Sequence, residues 1–298
     1  MKAWQETTQI CVELERLFAA GQSAALATLF KIEGSSYRRP GAKLLIRADG
    51  SMLGQVSGGC LESDLCERAK NMLAGNATPE RVHYDTSADE EMLWGLGLGC
   101  DGRLDILLQP LHPAHDAATV GELRARLGGT EDFSIHTILD GADAGTITLA
   151  APRTTPKSEI VTTGNVRTFE DHLAAPPDLV LIGAGDDAIP LVSLAAEAGF
   201  RVTMVDHRSA YLTKTRFPSA HKMIRARPDN VPDSIPRDAN TFIIAKNHAL
   251  LMDKAWATFF RGHRRSLHRS ARPHIAARRH HRKSSTRCPS PHIRPIRA

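Results

Sequence analysis

The chain has 298 residues, of which 42% are hydrophobic and 24% are charged, a composition typical of globular proteins of about two domains. It contains no run of 18 apolar residues, so the pattern excludes a membrane-spanning helix and no membrane partner is expected. Its first thirty residues carry Glu6, Glu13 and Glu15 and lack the basic-then-apolar order of a secretory signal.

Charge is divided unevenly along the chain. The formal net charge is +5, but residues 261–298 hold 12 of the 38 Lys and Arg residues and none of the 33 acids. Residues 1–260 therefore carry a formal charge of −7, so the basic character belongs to the tail and no specific nucleic-acid function is indicated. The odd number of cysteines, in a chain without a signal, predicts reduced thiols and a cytoplasmic protein; they are Cys11, Cys60, Cys66, Cys100 and Cys288.

The first 110 residues are predicted to form an N-terminal domain of mixed α/β structure. Ile10, Leu14 and Leu17 place an apolar stripe on one face of a helix over residues 3–20. The Asp49-Gly50 pair indicates a hairpin turn between two strands. Strands are predicted at residues 25–32, 42–46, 51–56, 81–84 and 104–108, and a second helix at residues 61–73.

A connecting region over residues 111–176 precedes a second domain over residues 177–260. The connecting region is predicted to hold a helix at 120–127, strands at 134–139 and 146–149, and a linker at the end of its Thr-, Pro- and Ala-rich stretch. The second domain opens with an apolar run, a Gly-rich turn, an apolar helix and a further strand, which is a β-α-β unit on a buried parallel sheet. Two more strands are predicted at 222–224 and 242–245. The predicted fold class is therefore α/β, with a Rossmann-like second domain.

Residues 261–298 contain 11 Arg, 6 His and no acid, with almost no apolar periodicity, which predicts a disordered tail. One interpretation is a natural tail that binds nucleic acid or an anionic surface. The favoured interpretation is an out-of-frame translation of GC-rich coding sequence, because the β-α-β pattern stops at residue 260 before a full sheet is made. The Rossmann-like domain is then truncated.

The GAGDDA segment (residues 183–188) fits the G-x-G-x-x-A pattern of dinucleotide-binding loops, directly after a strand and before a helix. Gly183 permits the tight turn, Gly185 lets the backbone approach a phosphate, and Asp206 at the end of the next strand is placed to bind ribose hydroxyls. The two aspartates of the segment oppose a pyrophosphate by their charge, and either could simply cap the helix. Binding of a nucleotide such as NAD(P) and a purely structural turn both stay open.

The segment GQVSGGCLE contains two adjacent glycines, Gly58 and Gly59, after Ser57. They free the backbone to form a concave array of N–H groups suited to an anion. Cys60 is predicted at the N-terminus of the next helix, where the thiolate is favoured as a nucleophile or a soft-metal ligand, and Glu62 suits the helix dipole. A glycine-rich turn with a buried cysteine is the alternative.

The segment GLGLGCDG places Gly99, Cys100 and Gly102 in a second glycine-rich loop. Because a strand follows it, this loop could face the first one and form a pocket with two thiols, those of Cys60 and Cys100, able to contact a metal. Two independent tight turns are the alternative. Cys60 and Cys66 are not predicted as a metal pair, since six residues on a helix do not share a face.

The segment GSSYRRPGA carries the fourth candidate site. Arg38 and Arg39 lie there among small residues and could hold a phosphate or carboxylate by forked hydrogen bonds. A hairpin with two solvated arginines is the alternative interpretation.

Together these motifs resemble the XdhC/CoxI family, the xanthine dehydrogenase accessory proteins. The similarity rests on GSSYRRPGAKLLI, DGSMLGQVSGGCLE, GLGCDGRLDILLQPL and LVLIGAGDDAIPL with GFRVTMVDHR, which occur in the family's order. The resemblance implies a protein that binds molybdenum cofactor (molybdopterin) and aids its maturation or insertion into a xanthine dehydrogenase-type or carbon monoxide dehydrogenase-type enzyme, with no catalysis required. The positions that match the family's motifs, and so are implied to contact the cofactor, are Gly58, Gly59, Cys60, Glu62, Gly99, Cys100 and Gly102. Arg38 or Arg39 would then hold the phosphate, and the two loop cysteines the metal end.

The resemblance also implies partners, namely the recipient molybdoenzyme, a cysteine desulfurase, and a second copy of the chain if the C-terminal domain is complete. The chain departs from the family's pattern at Asp186, where the family has histidine, and at Asp101, where it has glycine. Two other functions stay open from the residues alone. One is an NAD(P)-dependent oxidoreductase with Cys60 as its reactive thiol; the other is a binding module in which both glycine loops are inert.

Overall fold

A computed structural model of the chain describes residues 2–75, 78–85, 102–152, 156–238, 240–247 and 249–262, and the backbone of residues 275–277. The chain divides into two compact units, the first extending to Pro177 and the second comprising Asp178–Ala196 and the chain from Arg201. No helix in the described ranges combines the length and the apolar character that a membrane crossing needs.

The first unit contains three helices and nine strands among its described residues. The helices are α1 (Lys2–Ala19), α2 (Glu62–Ala74) and α3 (Pro113–Leu127). The strands are β1 (Ala24–Gly34), β2 (Lys43–Arg47), β3 (Met52–Gly54), β4 (Glu80–Asp85), β5 (Gly102–Leu111), β6 (Phe133–Ile138), β7 (Ile147–Ala150), β8 (Glu159–Thr163) and β9 (Val166–Leu173).

Five of these strands form an antiparallel sheet in the order β3-β2-β1-β5-β4, covered on both faces. Side chains alternate along β1, so Ala25 and Leu29 pack with α2 on one face while Leu26 packs with α1 and α3 on the other. The apolar stripe predicted for α1 is confirmed: Ile10, Leu14 and Leu17 are all buried. Because both faces are apolar, the loops that carry polar chemistry lie at the strand ends.

A second antiparallel sheet, in the order β7-β6-β9-β8, adds to the core of the first unit. Its strands β8 and β9 lie in the Thr-, Pro- and Ala-rich stretch, where the composition predicted no strands. A buried ion pair joins the two sheets, since Lys43 of β2 donates to the carboxylate of Asp171 in β9. The chain around residues 174–177 is irregular and leads to the boundary between the units, as the predicted linker does.

The second unit is a parallel sheet in the order β12-β11-β10-β13-β14, the strand order of a Rossmann-type half. Its described elements are β10 (Asp178–Ile182), α4 (Ala188–Glu197), β11 (Arg201–Asp206), β12 (Lys222–Arg225), β13 (Thr241–Ala245), α5 (Leu250–Gly262) and β14 (Ile275–Ala277). All five residues of β10 are buried, as expected of a central parallel strand. The predicted α/β class, with a Rossmann-like second domain, is confirmed.

The structure extends one predicted element and adds a strand that was not predicted. Helix α3 begins seven residues before the predicted start, because Pro113 occupies its first turn and Asp116 accepts a hydrogen bond from the His112 N–H at 2.7 Å. In the tail, the backbone of β14 pairs in parallel with β13, and this strand was not predicted. The other tail residues lie outside the described part of the chain, apart from the end of α5 at Arg261–Gly262.

Candidate functional site

The Cys60 loop, defined here as residues 55–61, joins β3 to α2 in the first unit. Helix α2 begins at Glu62, so Cys60 lies two residues before it, as the sequence predicts, and the residue is exposed. Gly58 and Gly59 are exposed as well. Gly59 has φ +113°, a backbone conformation that side chains rarely adopt, which explains a glycine there.

Ser57 and Glu62 fold the Cys60 loop from inside. The backbone N–H groups of Gly59, Cys60 and Leu61 all donate to the Ser57 Oγ at 3.2 Å, and that hydroxyl donates to the Glu62 carboxylate. The concave array of N–H groups predicted from the adjacent glycines therefore exists. Its donors converge on the protein's own hydroxyl, so the array fixes the shape of the loop.

The Glu62 side chain is buried and ionised beneath the loop. Burial by itself raises the pKa of Glu62, but hydrogen bonds from the Ser57 hydroxyl and from backbone N–H groups outweigh it and hold the pKa below its ordinary value. Oε1 accepts from the N–H groups of Val56 and Ser57 at 3.2 and 2.8 Å. Glu62 thus acts as a charged brace for the loop, in addition to suiting the dipole of α2.

The arginine loop, residues 35–41, leaves β1 and carries Arg38 and Arg39. The Arg38 guanidinium forms a forked ion pair with both carboxylate oxygens of Glu6 in α1, with one distance of 3.1 Å. Its cation is therefore used to anchor the loop. Arg39 is exposed and has no side-chain hydrogen bond or ion pair to any residue that the structure describes. Of the two predicted phosphate ligands, Arg39 is the one turned to the surface.

Two of the glycine-rich motifs meet at the arginine loop. A Cβ built on Gly58 would lie 4.0 Å from Cγ of Tyr37, which places the Cys60 loop directly beside this loop. A Cβ built on Gly102 would lie 2.4 Å from the Ser35 carbonyl oxygen, so only glycine fits at the start of β5. Segments distant in sequence are therefore brought together at one end of the first sheet.

The partner thiol predicted for Cys60 cannot be placed. Gly99 and Cys100 lie outside the described residues, two or three positions before Gly102. Cys66 is buried in α2, where its Sγ lies 3.4 Å from the Gly50 carbonyl oxygen. Within the described ranges, no three His, Cys, Asp or Glu side chains are grouped as metal ligands. The two-thiol arrangement stays a prediction.

The Rossmann loop, defined here as residues 183–188 (GAGDDA), has the turn that its glycines predict. Gly183 has φ +107°, and a Cβ there would lie 2.8 Å from the Lys246 carbonyl oxygen. A Cβ on Gly185 would lie 2.7 Å from the Asp187 carboxylate, which occupies the space beside the loop. Asp187 pairs with the Lys246 ammonium at 2.6 Å.

Two further aspartates at this loop, Asp186 and Asp206, form ion pairs or hydrogen bonds within the protein. The Asp186 carboxylate, 88% exposed, pairs with Arg216 at 2.8 Å. Asp206 is only 2% exposed and accepts hydrogen bonds from the Ala184 N–H at 2.8 Å and from Arg208. Burial raises the pKa of Asp206, but these hydrogen bonds outweigh it and hold the pKa at about 2. The ribose contact predicted for Asp206 stays a prediction, and in this structure its carboxylate accepts its hydrogen bonds from within the protein.

Sequence reasoning did not single out Tyr37, although it lies in the motif that supplies the two arginines. Its ring is 65% exposed and beside the Cys60 loop. The available signal was an aromatic residue within a loop otherwise made of Gly, Ser, Arg and Pro.

Family comparisons match both units. A family model described as the XdhC and CoxI family matches residues 17–85, and a model described as the XdhC Rossmann domain matches residues 179–287. The second match therefore extends into the basic tail. These ranges include the GSSYRRPGAKLLI, DGSMLGQVSGGCLE and Rossmann motifs of the resemblance, whereas GLGCDGRLDILLQPL, residues 97–111, lies outside both.

Individual relatives agree with this assignment. The chain is 28% identical over 253 residues to a Bacillus subtilis protein named as a probable xanthine dehydrogenase subunit, covering 79% of this chain and 75% of that one. It is 31% identical over 101 residues to the molybdenum cofactor insertion chaperone PaoD of Escherichia coli, covering 34% of this chain and 30% of PaoD. A crystal structure described as a xanthine dehydrogenase from Bacillus halodurans aligns with a TM-score of 0.71 at 25% identity, covering 89% of this chain and 87% of that one. With both family models matched in order and a relative aligned along most of its length, the chain belongs to the XdhC/CoxI family.

Proposed function

We propose that this protein is an accessory protein that binds molybdenum cofactor and aids its maturation or insertion into a xanthine dehydrogenase-type or carbon monoxide dehydrogenase-type enzyme. The observation that carries the proposal is the exposed Cys60 on a braced glycine loop, beside the arginine loop in the first unit. The names of two relatives, a cofactor insertion chaperone and a xanthine dehydrogenase subunit, support the same role.

Molybdenum cofactor has two chemically distinct ends, the molybdenum and the terminal phosphate, and the proposed site offers a binding group for each. A molybdenum ion held by a dithiolene is matched by a soft thiolate, which Cys60 supplies and which Cys100 would supplement. The terminal phosphate of molybdopterin is matched by Arg39, whose planar guanidinium suits forked hydrogen bonds to phosphate. Gly58 and Gly59, both exposed, keep the surface free of side chains, whereas Gly102 is buried and lets the arginine loop approach β5 closely.

Other predicted residues have a supporting role in this proposal. Ser57 and Glu62 hold the Cys60 loop in shape, and Arg38 anchors the arginine loop through Glu6. A preformed loop lowers the entropic cost of binding, because little ordering is left to be done when the cargo arrives.

The proposed partners follow from the role. The recipient is a molybdoenzyme of the xanthine dehydrogenase type, a cysteine desulfurase would supply sulfur if the cofactor is sulfurated on this protein, and a homodimer would form if the C-terminal domain is complete. An NAD(P)-dependent reaction is not part of the proposal, because the carboxylates of Asp186 and Asp187 lie at this loop and pair with the protein's own Arg216 and Lys246.

The test is retention of cofactor by the purified full chain. The wild-type chain is expected to co-elute with molybdopterin, detected by mass spectrometry of the released ligand. Cys60→Ser is expected to weaken retention at least tenfold, a difference of about 1.4 kcal/mol. Its folding stability should stay within about 1 kcal/mol of wild type, because the residue is exposed.

Cys66→Ser provides the matched thiol control. Cys66 lies inside the fold and serine keeps a donor for the Gly50 carbonyl, so this variant should retain the cofactor. Equal retention by wild type and a folded Cys60→Ser, Cys100→Ser double variant would refute the thiol contacts. A wild-type chain that carries no molybdopterin when produced with active cofactor synthesis would refute the function.

A further inference from the structure

Tyr37 is a large exposed ring on a loop that is fixed on both sides. Before it, Gly34 at the end of β1 pairs with Gly102 of β5. Arg38, the residue after Tyr37, is tied to Glu6 by the forked ion pair. Further along, the Gly41 N–H donates to the Leu29 carbonyl oxygen at 2.8 Å, and the Lys43 ammonium donates to the Gly41 carbonyl oxygen at 3.0 Å. The ring is therefore presented to the surface by a rigid segment.

A single exposed aromatic residue is ordinary on a protein surface, so exposure alone does not indicate a binding role for Tyr37. Its position beside the Cys60 loop does. The ring of Tyr37 adjoins Gly58, where a Cβ would just touch it at 4.0 Å. A larger side chain at position 58 would therefore come into van der Waals contact with Tyr37, and Gly58 makes no such contact. The exposed Cys60 follows two residues later.

We propose that Tyr37 binds the planar fused ring of the cofactor by stacking, with Gly58 providing the space beside the ring. The inference rests on the proposed function and adds a recognition element for the heterocycle to the groups assigned to the metal and the phosphate. Aromatic rings bind planar heterocycles through offset stacking, and a rigid ring loses little conformational freedom on binding. The site would thereby select a flat bicyclic ligand over a simple phosphate or a free molybdenum oxyanion.

The experiment compares affinities of the full chain for two probes. One is molybdenum cofactor released from a purified molybdoenzyme; the other is pterin-6-carboxylate, which has the ring without the metal and phosphate. Binding of pterin-6-carboxylate is followed by quenching of its fluorescence, and bound cofactor is quantified by mass spectrometry of the ligand that co-elutes with the protein. Tyr37→Leu is expected to weaken binding of both probes about tenfold, and Tyr37→Phe to stay within about twofold of wild type, because the ring is retained.

Two variants separate the ring contact from general effects. Gly58→Val should weaken both probes to a similar extent, since its side chain would contact Tyr37 and occupy the space beside the ring, and Gly58 carries no left-handed φ that would strain the variant. Tyr211→Leu removes a partly exposed tyrosine of the second unit and should leave both affinities unchanged. Circular dichroism and urea unfolding show that each variant is folded.

The outcomes distinguish this inference from the proposed function. If wild type binds neither probe, both fail. If wild type binds the cofactor and Cys60→Ser weakens it while Tyr37→Leu does not, stacking is refuted and the function stands. Stacking is also refuted if Tyr37→Phe loses as much affinity as Tyr37→Leu, or if Tyr37→Leu binds both probes normally and fails only in transfer to the recipient enzyme, which would assign the ring to a protein contact.

Discussion

Replacing Glu62 by glutamine tests whether a buried carboxylate braces the Cys60 loop. Glu62 is 7% exposed, and its two oxygens accept four hydrogen bonds. Glutamine keeps the size of the side chain but turns one oxygen into an NH2 donor. That donor would face the Leu61 N–H, from which the carboxylate now accepts a hydrogen bond at 3.2 Å.

The expected cost follows from these contacts. A hydrogen bond to a charged group contributes about 1.5–3 kcal/mol, and a buried N–H left without an acceptor costs about 1–3 kcal/mol. Glutamine keeps its other oxygen as an acceptor for the N–H groups of Val56 and Ser57, so these two hydrogen bonds persist and limit the loss. We therefore expect Glu62→Gln to lower the free energy of unfolding by about 2 kcal/mol at pH 7.

The pH dependence has a defined sign. The pKa of Glu62 in the folded chain lies below its ordinary value of 4.5, so ionisation of the carboxyl contributes stability above that pH. This contribution is lost as pH falls through the folded pKa. The gap between wild type and Glu62→Gln should therefore be constant from pH 7 to pH 5 and shrink below pH 4.5.

Urea unfolding of both proteins across this pH range measures the gap directly. Glu67→Gln in the same helix is the matched control, because Glu67 is exposed and, among the described residues, pairs only with Lys70; it should change stability by less than about 0.5 kcal/mol. A gap that stays unchanged down to pH 3.5, or a Glu62→Gln variant as stable as wild type, would show that the carboxylate does not brace the loop.

Two further predictions concern buried charges. Lys43→Met or Asp171→Leu alone should lower the free energy of unfolding by about 3–5 kcal/mol, because each leaves the other charge buried without its partner. The double variant should recover most of that loss. Urea denaturation of the four proteins measures this, and strictly additive changes in the free energy of unfolding would contradict it. Asp206→Asn should cost about 2 kcal/mol at pH 7, and because its folded pKa is about 2 against an ordinary 3.8, the cost should persist to about pH 4 and disappear towards pH 2. An Asp206→Asn variant with unchanged stability and altered NAD(P) affinity would instead support the ribose contact.

Several features of the fold could be predicted because neighbouring residues determine them. The spacing of Ile10, Leu14 and Leu17 defines the buried face of α1 through the helical period alone. The Asp49-Gly50 turn needs a residue with positive φ, and Gly50 has φ +83°. The order of apolar run, Gly183 turn and apolar helix likewise specifies the β-α-β unit of the second domain.

The uses of the polar side chains depended on contacts between distant parts of the chain. Arg38 is an anchor because Glu6, 32 positions earlier, lies against it. Asp206 has internal hydrogen-bond donors because the Ala184 N–H and Arg208 converge on it. Strands β8 and β9 form in a stretch of weak local pattern because β6 offers β9 a partner edge. A local sequence pattern specifies the conformation of a segment. Burial and the pairing of charges depend on which segments pack together, so tertiary structure alone placed Tyr37 beside Gly58 and left Cys60 and Arg39 at the surface.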